Sequence, residues 1–157
     1  MAVSPKGRKI HSLPEGQGFG PVAAAKPPRG RQVRFEPDAL AGLYREWGAA
    51  GLALIRDLIH LFLADAPARL HEMREAYEAG SLERMERAAH SLKGSCSHVG
   101  ARAMQKLSAG IERNSRLNQT KQAGRLLGDL EREYQSLRPL LEEFAADPQF
   151  RRADFRS

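Results

Sequence analysis

The sequence predicts an all-α protein: an antiparallel up-down-up-down four-helix bundle with a short additional N-terminal helix. Three observations carry that expectation. Apolar residues recur at steps of three and four over most of the chain, the spacing that gathers them on one stripe of a helix. Glycine, serine, asparagine and proline interrupt those stripes at intervals suited to short connections. There is no strand-like alternation, and neither an Asn-Gly nor an Asp-Gly hairpin dipeptide occurs in the 157 residues.

Residues 1–35 are rich in glycine, proline and basic side chains and hold no period of either kind, so they are expected to be a disordered tail. Pro37 suits the first turn of a helix, where its missing N–H would be unpaired anyway. A short helix is expected through Trp47, ending at Gly48. The next helix runs from about Leu52 to Ala79 on the stripe Ile55, Leu58, Ile59, Phe62, Ala66, Leu70, Met73 and Tyr77. Pro67 lies inside it and should bend or split it. Gly80 supplies a left-handed stop and Ser81 a start cap.

The third helix spans Leu82 to about Val99, with Leu82, Met85, Ala89, Leu92, Cys96 and Val99 on its apolar side and Gly100 at its end. The fourth carries Met104, Leu107 and Ile111 and stops near Asn118. Thr120 can cap the fifth, whose stripe runs Ala123, Leu126, Leu127, Leu130, Tyr134, Leu137, Leu141 and Phe144, with Pro148 closing it. The domain plan is therefore a basic tail over 1–35, a bundle over 36–147 and a C-terminal tail over 148–157.

Composition narrows the function classes. Hydrophobic residues are 41% and charged residues 28%, an ordinary balance for a water-soluble domain. The longest apolar run, around Leu52 to Leu63, is broken by Arg56, Asp57 and His60, short of the roughly 20 residues a membrane span needs. Lys6, Arg8 and Lys9 are not followed by an apolar stretch, so no secretory signal is expected. The one cysteine, Cys96, excludes an internal disulfide and suits a reducing cytoplasm, the expected location. Of the net charge of +6, the first 36 residues hold +5, seven basic against two acidic. A basic tail can attract nucleic acid, but the bundle shows no basic stripe interleaved with aromatics, so nucleic acid ranks low as a partner behind a plain solubilising or non-native segment.

The chemistry concentrates in the third helix. Ala89 and Leu92 lie on its buried stripe, and His90 stands about 100° round from Ala89. Its own row is Glu83, Glu86, His90, Lys93, Gly94 and Ser97, which is polar and places the imidazole at the solvent edge. Lys93 lies one turn on, where its ammonium can reach a group attached to the ring. Gly94 costs about 1 kcal/mol in a helix interior relative to alanine, and its use there leaves room for a partner surface beside the ring. Neutral imidazole, with a reference pKa of about 6.5, is a nucleophile that can take phosphate from an aspartyl phosphate. Phosphoryl transfer then asks mainly for positioning and charge neutralisation.

Other constellations fall away. His98 is two turns from His90, about 12 Å, too far to share a metal. His71-Glu72 lacks the second histidine of the helical zinc motif. Ser91, Ser95 and Ser97 have no triad spacing, and no glycine-rich phosphate loop with a following Lys-Ser or Lys-Thr is present.

The run Ala89-His90-Ser91-Leu92-Lys93-Gly94-Ser95, followed by Val99-Gly100-Ala101, resembles the histidine-containing phosphotransfer (HPt) domain of multistep two-component signalling. Leu61-Phe62-Leu63-Ala64-Asp65-Ala66-Pro67 is similar to that family's second helix, which makes the interior proline expected. The resemblance covers about residues 37 to 145 and implies that His90 is phosphorylated, with Lys93 and Gly94 in supporting positions. It also implies that a polar residue on the next helix bonds the far ring nitrogen, a place held here by Glu112, and that Arg116 faces phosphate or a partner's acidic surface. Cys96 departs from the family, which often has serine or alanine there; a small packing role is the reading for it.

The implied function is a phosphorelay intermediate, a carrier and not an enzyme. It would accept phosphate from a receiver-domain phospho-aspartate, within a hybrid sensor histidine kinase system, and pass it to another response-regulator receiver. No cofactor is expected on this chain, and Mg2+ would come with the receiver. The alternative is an HPt-like binding module that docks receivers without transfer.

Overall fold

The computed structural model describes residues 38–146, so the tail expected over 1–35, the helix start at Pro37, the stop at Pro148 and the tail over 148–157 lie outside the described residues. Four helices follow one another: α1 (Asp38–Glu78), α2 (Leu82–Val99), α3 (Arg102–Arg116) and α4 (Thr120–Ala146). α1 packs on α2 and α4, and α3 packs on α2 and α4, which closes the four into an antiparallel ring.

Each interior connection is made by the same local device. Gly80, Gly100 and Asn118 have φ of 67°, 71° and 56°, the left-handed region that glycine and asparagine enter most easily. At each, the following N–H reaches back to a carbonyl of the last turn: Ser81 to Ala76, Ala101 to Cys96, and Gln119 to Asn114, at 2.8–2.9 Å. The residue in the left-handed position donates to the next carbonyl, Gly80 to Tyr77, Gly100 to Ser97 and Asn118 to Ser115. These paired bonds occupy carbonyls that a helix end leaves without a donor and turn the chain back in two or three residues.

Several local expectations change. Pro67 does not split α1; the non-helical residue inside that element is Gly48, with φ 56° and ψ −125°. Pro67 sits on the exposed side, where the carbonyl deprived of its donor can turn to water, so the break expected of a buried proline is not imposed. The expected end of the first short helix at Gly48 is a sharp change of direction, with helix resuming directly after it instead of near Leu52. Ser81 stands before α2, but its side chain makes no capping hydrogen bond. Thr120 is the first residue of α4 instead of its cap; the Gln119 carbonyl takes the first helical bond, from the Ala123 N–H.

The stripes form one core. Ile55, Ile59, Phe62, Ala66 and Met73 from α1 meet Met85, Ala89, Leu92 and Cys96 from α2, Met104 and Ile111 from α3, and Leu127, Leu130 and Leu137 from α4. Phe62 and Tyr134 bring their rings to 6.4 Å in a tilted pair across α1 and α4. Cys96 is fully buried within this core, and burial pushes its thiol up to about 12, so it stays protonated and packs as a small apolar group. Among the described residues one stretch, Arg45–Glu78, is long and apolar enough by composition to cross a membrane, with mean hydropathy 1.4, which differs from the expectation that its charged residues make the run too short. One face of it, Ile55, Ile59, Phe62, Ala66, Leu70 and Met73, is the α1 share of the core, while 22% of its most apolar window is buried.

Candidate functional site

The two-residue turn at Gly100 and Ala101 folds α3 back along α2, and that hairpin builds the site. His90 and Glu112 each lie eleven residues from Ala101, one before it and one after, so an antiparallel pair of helices brings them to the same level. Glu86 and Arg116, fifteen residues either side of Ala101, form the next rung.

On α2, Ala89 and Leu92 are fully buried and hold the helix face that leaves His90 outward. The His90 side chain is 67% exposed, and that of Glu112 is 11% exposed. His90 Nδ1 lies 3.0 Å from Glu112 Oε1. Lys93 Nζ donates to Glu112 Oε2 at 2.6 Å. The Lys93 and His90 hydrogen bonds, in that order, outweigh burial and hold the Glu112 carboxyl down at about 2, from an ordinary 4.5. A carboxylate ionised at neutral pH only accepts, so the hydrogen bond to it requires a proton on Nδ1. In the neutral ring the lone pair then belongs to Nε2. The bundle thereby selects a tautomer and leaves a nucleophilic nitrogen on an exposed ring.

The surroundings complete the picture. A Cβ built on Gly94 would meet nothing within 4 Å, so the surface one turn beyond the ring is open. Arg116 Nη2 donates to Glu112 Oε1 at 3.2 Å and to Glu86 Oε1 at 2.7 Å, and its Nε donates to the same Glu86 oxygen at 2.9 Å. The residues singled out from sequence, His90, Lys93, Gly94, Glu112 and Arg116, thus converge on one patch. Lys93 and Arg116, expected to face phosphate or a partner, rest here on carboxylates of the bundle. Glu86 is the member that sequence reading left without a role, although its mirror relation to Arg116 about Ala101 was available to find it. Along the α1–α2 seam, Leu58, Leu61, Phe62, Asp65, Ser95 and His98 line a shallow hollow, with Leu61 66% exposed at its lip. Ser95 Oγ donates to Asp65 Oδ2 across it at 3.3 Å.

Comparison with known proteins identifies the family and the fold. The model of the Hpt domain family matches residues 57–140. The crystal structure of histidine-containing phosphotransfer protein B (HptB) from Pseudomonas aeruginosa PAO1 is similar in fold, with a TM-score of 0.64 and 24% sequence identity, over 73% of this chain and 96% of that chain. A search of curated proteins finds no match.

Proposed function

The chain belongs to the Hpt domain family, whose members are phosphocarriers in two-component signalling, and we propose that His90 Nε2 is the atom on which it carries the phosphoryl group. The observation that supports this most directly is the exposed ring tied at Nδ1 to an ionised carboxylate.

The step is a substitution at phosphorus. The Nε2 lone pair attacks the phosphorus of a receiver's aspartyl phosphate, the acyl O–P bond breaks, and its electron pair leaves on the receiver's carboxylate. The ring, still protonated at Nδ1, becomes cationic, and Glu112 sits against that charge. Lys93 offsets phosphoryl charge, and Arg116, paired with Glu86, borders the same patch. Gly94 lets the receiver's acidic pocket close on the ring. Mg2+ belongs to that pocket and not to this chain. Return of the group to a second receiver is the same step reversed. The partners are response-regulator receiver domains and a hybrid sensor histidine kinase, met in the cytoplasm, and Leu61 with the hollow beside it offers them an apolar landing surface. Such encounters are transient by design, since the carrier must leave each partner.

The test is transfer from a receiver labelled on its aspartate to the wild type and to His90→Gln. Label on the wild type alone, with equal helical content in both proteins, is the expected result. Equal labelling moves the site elsewhere, and stable docking without label on the wild type leaves a binding module in place of a carrier.

A further inference from the structure

Glu86 lies one turn before His90 on the same face of α2, so its carboxylate is set where a phosphoryl group of about two negative charges would repel it. It does not stand there alone. Its Oε1 accepts two hydrogen bonds from Arg116, whose Nη2 also reaches the Glu112 oxygen that holds the imidazole. A single guanidinium therefore links the carboxylate below the ring to the carboxylate beside it. Of the two cations on Glu112, Lys93 is bound to that one carboxylate, whereas Arg116 is shared with a second.

We propose that Glu86 is a positioning residue for phosphoryl carriage: by holding Arg116 across the α2–α3 seam it sets the net charge facing the phosphoryl group on His90. The inference rests on His90 being the carrier. With both partners present the pair is neutral, and the group is held loosely enough to move on. Without Glu86, Arg116 keeps only Glu112, which Lys93 already pairs, so the cluster gains one positive charge and attracts the phosphoryl group; without Arg116 it gains one negative charge and repels it. Charge at this range in an exposed setting changes an equilibrium by about three- to tenfold.

The experiment lets label exchange between the full chain and a receiver domain until its partition stops changing, then measures the ratio of phosphohistidine to aspartyl phosphate. That ratio depends on the stability of the two phosphorylated proteins and not on how well they dock, so a role confined to docking or folding leaves it alone. Glu86→Gln is expected to move the ratio toward phosphohistidine by about three- to tenfold, Arg116→Gln to move it the other way, and the double variant to lie between them, near the wild type. Both residues are at the surface, and circular dichroism checks that each variant is folded. A Glu86→Gln ratio equal to that of the wild type overturns the proposal while the carrier assignment stands. A wild type that takes no label on His90 overturns the carrier assignment and this proposal with it.

Discussion

Glu112 Oε1 and His90 Nδ1 are 3.0 Å apart across 22 residues of sequence, and the contact decides which ring nitrogen is free. The carboxylate is nearly buried, whereas the imidazole is mostly in solvent. This asymmetry lets the bundle govern the protonation pattern of the ring without covering it.

Removing the acceptor should release the tautomer. In Glu112→Ala the loss of a charge-assisted hydrogen bond, about 1.5 kcal/mol or more, is expected to slow phosphotransfer about tenfold. Glu112→Gln keeps an oxygen for Nδ1–H but loses the charge, and should fall between the alanine variant and the wild type. Nitrogen-15 NMR of the ring gives an independent readout: wild type holds its proton on Nδ1, and the alanine variant shifts it to Nε2. An unchanged tautomer in the alanine variant refutes the argument.

The same contact makes stability depend on acid. Glu112 is held at about 2 when folded against an ordinary 4.5, so the folded protein binds fewer protons at this site than the unfolded chain does. Its contribution is fully present above 4.5 and is lost as pH falls toward 2. The shift would be worth at most about 3 kcal/mol, and the exposure of His90 and Lys93 reduces that, leaving a loss of about 1 kcal/mol by roughly pH 3. Urea unfolding near pH 6 and pH 3 should show a larger drop for wild type than for Glu112→Gln. Parallel curves would contradict the assignment.

Two helix glycines should respond to alanine with opposite signs. Gly94 faces open space, so Gly94→Ala is expected to stabilise the fold by about 0.5–1 kcal/mol. A Cβ on Gly124 would sit 2.5 Å from the Tyr77 ring, so Gly124→Ala must displace that ring and should destabilise by about 1–2 kcal/mol. Thermal unfolding compares them. If the space at position 94 serves a visiting receiver, Gly94→Trp leaves the melting temperature near that of the alanine variant while slowing transfer severely. Full transfer by the tryptophan variant would show that the space is not used.

The sequence alone determined what neighbours along the chain can encode. Stripe periodicity and the left-handed preference of Gly80 and Gly100 defined α2 to its observed ends, Leu82 and Val99, because helix formation and the closing turn depend on residues within a few positions of each other. The polar row through His90, Lys93 and Gly94 was legible for the same reason, and the family resemblance brought in Glu112. Tertiary structure decided the rest: that Pro67 faces outward and leaves α1 unsplit, and that Arg116 rests on Glu86. The equal spacing of Glu86 and Arg116 from Ala101 puts them on one rung, but whether the guanidinium reaches that carboxylate depends on the approach of two packed helices, and no pattern within either helix contains that distance.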